Sequence, residues 1–150
     1  MSLELLGSSV LGQMGNKSLN ETIGSLGVLI QKQIDKLPKP FIFLKSNNNN
    51  LSSNVADGVL ILGGPQIGFG EKGIVEDFNI NYTTAAGTIR LVILNSSNAI
   101  VTDLLRDITS STNGTGKTVL EEGQRLGLVG QTAGAGVLSV YCSGFIQKVN

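Results

Sequence analysis

Between Ile74 and Tyr82 the chain alternates: Ile74, Phe78, Ile80 and Tyr82 share one parity, and Asp77, Asn79 and Asn81 take the other. A period of two sends successive side chains to opposite faces of a pleated strand, so this stretch is predicted to be a strand with one face on a core. Residues 88–94 and 99–105 are two more apolar runs, joined by Asn95-Ser96-Ser97-Asn98, and predict a β-hairpin over 88–105. Residues 59–62 form a short buried run closed by Gly63-Gly64-Pro65, and residues 118–120, 125–132 and 137–149 supply further strands. Gly87 and residues 133–136 read as turns, and residues 46–50 and 109–116 read as polar loops. On the last strand Leu138, Val140, Cys142 and Ile146 form one face, with Val137, Tyr141 and Phe145 on the other, so both faces are expected to be at least partly covered. With residues 41–45 included, about eight antiparallel strands fall within residues 41–150. The expected fold is mainly β, a β-sandwich of jelly-roll type preceded by an N-terminal helical and irregular segment.

That segment, residues 1–40, differs in period. Ser18-Leu19-Asn20-Glu21 fits a capping box, and Ile23, Gly27, Ile30, Ile34 and Leu37 recur at helical spacing, which predicts a helix over about residues 19–36, stopped by Pro38. Gly24 and Gly27 each cost such a helix about 1 kcal/mol relative to alanine, so it is not expected to stand alone in water. Packing on its own β-domain and docking on another chain both remain open. Residues 1–17 place Leu3, Leu5, Leu6, Val10, Leu11 and Met14 between glycines that break any regular helix, a pattern that favours ordering on a partner.

The residue inventory limits the chemistry. The chain has no histidine and one cysteine, which removes His-dependent triads, zinc hydrolases, multi-thiolate sites and internal disulfides. Cys142 falls on the core face of the last strand, the setting of an inert thiol. Eleven basic residues balance eleven acidic ones, without a basic cluster that would suit nucleic acid. No stretch reaches the ~18 apolar residues of a membrane span, and no secretory leader is recognised, so a soluble product of the cytosol is expected. Only 15% of residues are charged, which predicts a largely uncharged polar surface. The six Asn-x-Ser/Thr triplets follow from the abundance of those residues.

The motifs that resemble catalytic ones do not complete. Residues 111–118 end in Gly116-Lys117-Thr118, but Ser111 stands where a phosphate-binding loop requires glycine, and Gly123 and Gly127 interrupt any following helix. Residues 63–70 are glycine-rich without dinucleotide spacing; within them Ile67 and Phe69 are candidate apolar anchors for a neighbouring chain. Glu76 and Asp77 fall on opposite faces of a strand unless a bulge intervenes, and Asp103 with Asp107 and Glu121 with Glu122 complete the carboxylate candidates. No catalytic, cofactor-binding or metal-binding residue is assigned.

Residues 120–129 ("LEEGQRLGLV"), the turn "TAGAG" and the final "VLSVYCSGFI" resemble the closing hairpin of β-sandwich domains in virion proteins of tailed bacteriophages, a style also met in trimeric tumour-necrosis-factor-like folds. The resemblance is close over about 30 residues and implies a structural protein that decorates or cements a capsid as a trimer. Its partners would be the major capsid protein or another virion protein, and its place the virion, after synthesis in the host cytoplasm. Ile23, Gly27, Ile30, Ile34 and Leu37 are the expected docking residues, and Ile67, Phe69, Tyr141 and Phe145 the expected subunit contacts. The alternative is a receptor- or carbohydrate-binding module of a tail fibre or adhesin. Sugar sites stack aromatic rings on the ligand, and Phe69, Tyr82, Tyr141 and Phe145 are the candidates.

Overall fold

The computed structural model describes residues 19–51 and 57–149. The chain divides into two compact units, residues 1–37 and residues 38–150. The predicted apolar segment 1–17 and the Ser18 half of the capping box lie outside the described residues.

In the first unit, helix α1 spans Leu19–Asp35, with Glu21 in its first turn and Lys32 in its last, each at the favourable end of the helix dipole. Its final turn tightens, as Lys36 and Leu37 donate their amides to the Gln33 and Ile34 carbonyls. Thr22 is buried and Leu26 and Leu29 are half-buried, one side of the helix at spacings of four and three. The predicted stripe lies elsewhere on the surface. Ile23, Ile30, Ile34 and Leu37 are 57, 44, 48 and 59% exposed. A β-carbon built at Gly27 would touch nothing within 4 Å. Among the described residues no helix is long and apolar enough to cross a membrane.

Among the described residues the regular elements of the second unit are strands: β1 Lys39–Leu51, β2 Leu60–Gly63, β3 Glu71–Leu94, β4 Ile100–Ile108, β5 Thr112–Leu120 and β6 Arg125–Lys148. All pair antiparallel in one curled sheet. Its spine is the ribbon of β3 and β6, each 24 residues, paired from Glu71 opposite Lys148 to Leu94 opposite Arg125. One half of the ribbon is flanked by β1 and β5, giving the order β1-β6-β3-β5; the other is flanked by β2 and β4, giving β2-β6-β3-β4. The inner faces of both halves contribute to one buried cluster, Ile80, Leu138 and Cys142 from the first and Ile89, Leu91 and Leu128 from the second. A small second cluster of Val92, Leu94 and Val129 is buried on the opposite face of the second half.

The ribbon changes direction between Thr84 and Ile89, where the register breaks repeatedly and Gly87 takes a φ of 91°. The ladder bonds lost there are replaced by hydroxyls: Thr88 donates its amide to Thr132 Oγ1 at 2.9 Å, and Thr84 Oγ1 donates to the Ala135 carbonyl at 3.1 Å. Gly87 and residues 133–136, expected as chain reversals, therefore lie inside continuous strands. Chain reversal needs an interrupted ladder, whereas here the two strands stay paired through the bend. The eight expected strands resolve into six, because the two longest each serve both halves.

Two expected loops are also strands. Residues 46–50 continue β1, with a bulge between Ser46 and Asn49 where Asn48 takes a positive φ of 49°, a conformation asparagine tolerates. Residues 112–118 belong to β5, where Gly114 lies against the Phe78 ring with no space for a β-carbon. The hairpin predicted over 88–105 is present, with Leu94 opposite Ile100. Asn95 Oδ1 accepts from the Ser97 and Ala99 amides at 3.0 and 2.9 Å and holds the turn.

Candidate functional site

The outer face of the first half-sheet carries a trough around Tyr141, which stands on β6 and is 44% exposed. A hollow of about 780 Å³ on one side is lined by Pro40, Phe41, Ile42 and Phe145, together with Glu76 and Ser143. A second, of about 550 Å³, runs on across β3 and β5 past Asn79, Asn113 and Thr115. Asp77, Tyr141 and Ser143 border both.

The trough owes its shape to a bulge between Val75 and Asp77, which shifts β3 against both neighbours at once. Before it, odd residues face inward, and Val75 is buried instead of the expected Ile74. After it, even residues do, and Ile80 and Tyr82 enter the core. The parity change leaves Glu76 and Asp77 beside the same hollow. Gly144 makes the bulge possible, because a β-carbon there would overlap the Ile74 carbonyl and lie 3.0 Å from the Glu76 nitrogen.

Polar side chains bordering this region are paired to one another. Ser111 Oγ donates to Asn81 Oδ1 at 2.7 Å, and Ser139 Oγ accepts from the Asn48 amide at 3.0 Å. Within the trough Glu76, Asp77, Asn79, Asn113, Thr115 and Ser143 make no side-chain hydrogen bond to any described residue. Its hydrogen-bonding capacity is unspent.

The other expected site residues separate. Tyr141 and Phe145 stand together in the trough. Phe69 is 92% exposed at the tip of the turn between β2 and β3, far more than any other large apolar side chain described. Its turn is fixed: Gly70 has a φ of 71°, its amide donates to Glu122 Oε2 at 3.1 Å, and its carbonyl accepts from the Val149 amide at 2.9 Å. Ile67, expected as an anchor beside Phe69, is 2% exposed and packs with Phe43 over Gly73. It exchanges backbone hydrogen bonds with Gln124 and Gly123, so it closes the core and is not presented to a neighbour. Tyr82, a candidate for sugar stacking, is 3% exposed and has no free ring face.

The remaining candidates hold structure. Asp103 pairs with Arg90 at 3.4 Å and Arg106 at 3.5 Å, and Asp107 accepts from Gln131. Glu121 faces Lys72 at 3.5 Å. Cys142 is fully buried, and loss of hydration pushes its thiol up to about 12, so it is protonated at neutral pH. Residues 111–118 lead into no helix, which leaves a phosphate without the helix N-terminus such loops use. Among the described residues no three Asp, Glu or Cys side chains gather as a metal site requires. Ile42 and Pro65 line the trough without having been expected there; their contribution depends on strand pairing, which no local pattern encodes.

No protein-family model matches the chain, and neither does any curated protein.

Proposed function

We propose that this protein is a structural subunit of a tailed-phage particle, decorating or cementing the capsid, docked through its N-terminal segment and assembled as a trimer. The observation that carries the reading is the apolar stripe of α1, whose Ile23, Ile30, Ile34 and Leu37 side chains are about half exposed on one helix face. Burying what remains of each is worth about 1 kcal/mol, a favourable contribution to docking the helix on a shell protein. The open space around Gly24 and Gly27 lets a partner backbone approach closely. The style of residues 120–146 and the balanced charge agree with this role.

A jelly-roll sandwich is the finer fold that goes with it. If β3 and β6 are divided at their bend, eight half-strands result, and the two four-stranded orders interleave early and late strands as a jelly roll does. Phe69, rigidly held and almost wholly exposed, is the subunit contact in this reading.

The test is co-sedimentation with capsid shells that lack the protein. Full-length chain is expected to pellet with shells, and Ile30→Asp with Ile34→Asp to remain in the supernatant with its β-structure intact. Undiminished pelleting of that variant, or of a chain lacking residues 1–37, would sink the proposal.

A further inference from the structure

The trough around Tyr141 is chemically unlike the stripe on α1. It combines an exposed ring with two carboxylates and with uncharged amides and hydroxyls, none of them hydrogen-bonded within the described protein. We infer that this trough binds a neutral oligosaccharide, with one sugar ring stacked on Tyr141 and its hydroxyls bonded by Asp77, Glu76, Asn79 and Ser143.

The ligand class follows from what the surface offers and withholds. Sugar rings present an apolar C–H face to an aromatic ring and a rim of hydroxyls that both donate and accept, which matches carboxylates and amides placed around a tyrosine. A protein surface without basic side chains suits it poorly, because Glu76 and Asp77 would be stripped of water with no cation to meet them. An added peptide strand has nothing to pair with, since β1, β6, β3 and β5 already bond one another across the trough floor. Acidic sugars are disfavoured, because no lysine or arginine lines either hollow. The trough crosses four strands, about 14 Å at ordinary strand spacing, which suits a short oligosaccharide better than a single sugar.

This site does not depend on the docking proposed for α1. The chain has two tyrosines and no tryptophan, and Tyr82 is buried, so intrinsic fluorescence changes on titration report Tyr141. The experiment titrates full-length protein with maltotriose, cellotriose and tri-N-acetylchitotriose, with sialyllactose as the acidic comparison, and repeats each by calorimetry. At least one neutral trisaccharide is expected to saturate the signal with a Kd of about 1 mM or tighter. Tyr141→Ala is expected to weaken it at least about tenfold and Asp77→Asn several-fold, with sialyllactose at least about tenfold weaker than the best neutral sugar. Ile30→Asp with Ile34→Asp is expected to bind the sugar unchanged, which separates this site from the docking helix. The inference is overturned if no neutral sugar saturates below about 20 mM. Equal binding by Tyr141→Ala overturns it, as does a basic peptide displacing the sugars as the preferred ligand. A fall in oligomer mass caused by Tyr141→Ala would assign the face to a second copy and also overturn it.

Discussion

Gly87 and Gly134 meet backbone to backbone across the β3–β6 ribbon, so closely that a β-carbon on Gly87 would lie 2.7 Å from Gly134 Cα. A β-carbon on Gly134 would overlap the Ala86 carbonyl. The bend that lets two half-sheets share a core is therefore made of absent side chains.

Gly134→Ala should cost at least about 2 kcal/mol, because the strands must separate where hydroxyls already replace ladder bonds. Gly116→Ala is the control: its β-carbon meets nothing within 4 Å, and its stability change should stay within about 0.5 kcal/mol of zero or be slightly favourable. Urea denaturation of both variants measures the difference.

Ile67 and Phe69 are two residues apart with opposite fates, which makes them a sharp pair. Ile67→Ala should destabilise by about 2–5 kcal/mol, since it opens a cavity beside Phe43 and Gly73. Phe69→Ala should change folding stability by less than about 0.5 kcal/mol and, under the proposed assembly, lower the particle mass in solution. Denaturation midpoints and sedimentation velocity read the two effects separately.

The Cys142 thiol sets a pH dependence. Its ordinary value of 9.0 applies to the unfolded chain and about 12 to the folded one, so above pH 9 the unfolded state loses its proton first. Stability should fall as pH rises from 9, by up to about 1.4 kcal/mol per unit. Cys142→Ala should lack that slope between pH 9 and 10.5. The same burial predicts that iodoacetamide labels the thiol only after denaturation, as mass spectrometry would reveal.

Asn95 closes the hairpin between β3 and β4 with one side-chain oxygen that serves two backbone amides and the Ser97 hydroxyl. Asn95→Ala should cost about 1–2 kcal/mol. Because Leu94 and Ile100 flank the turn, amide exchange should accelerate first in β4.

Strand positions were legible wherever local period carried them. The hairpin over 88–105, the inward face of Leu138, Val140 and Cys142, and the helix through Ile34 all follow from spacing in one segment. Glycine was the ambiguous letter: the same residue type reverses a chain and lets two backbones touch, and Gly87 with Gly134 does the second. Asparagines 47–50 look like a loop by composition, but they lie beside β6, which supplies a ladder for their backbone. Ile67 and Phe69 share a glycine-rich setting with no period to say which turns inward. The trough was illegible for a related reason: one bulged residue in β3 exchanges the two faces, and the fit of Gly144 to the Ile74 carbonyl that permits it spans about 70 positions of sequence.

The long strand β6 has a temporal consequence. It lies between β1 and β3 in one half and between β2 and β3 in the other, so β1 and β2 have no ladder until residues 125–148 exist. During synthesis the chain can close the β3–β4 hairpin and bring β5 alongside, but neither half-sheet can be completed. The surface that carries the trough at Tyr141 therefore exists only once β1, β3, β5 and β6 are paired with one another.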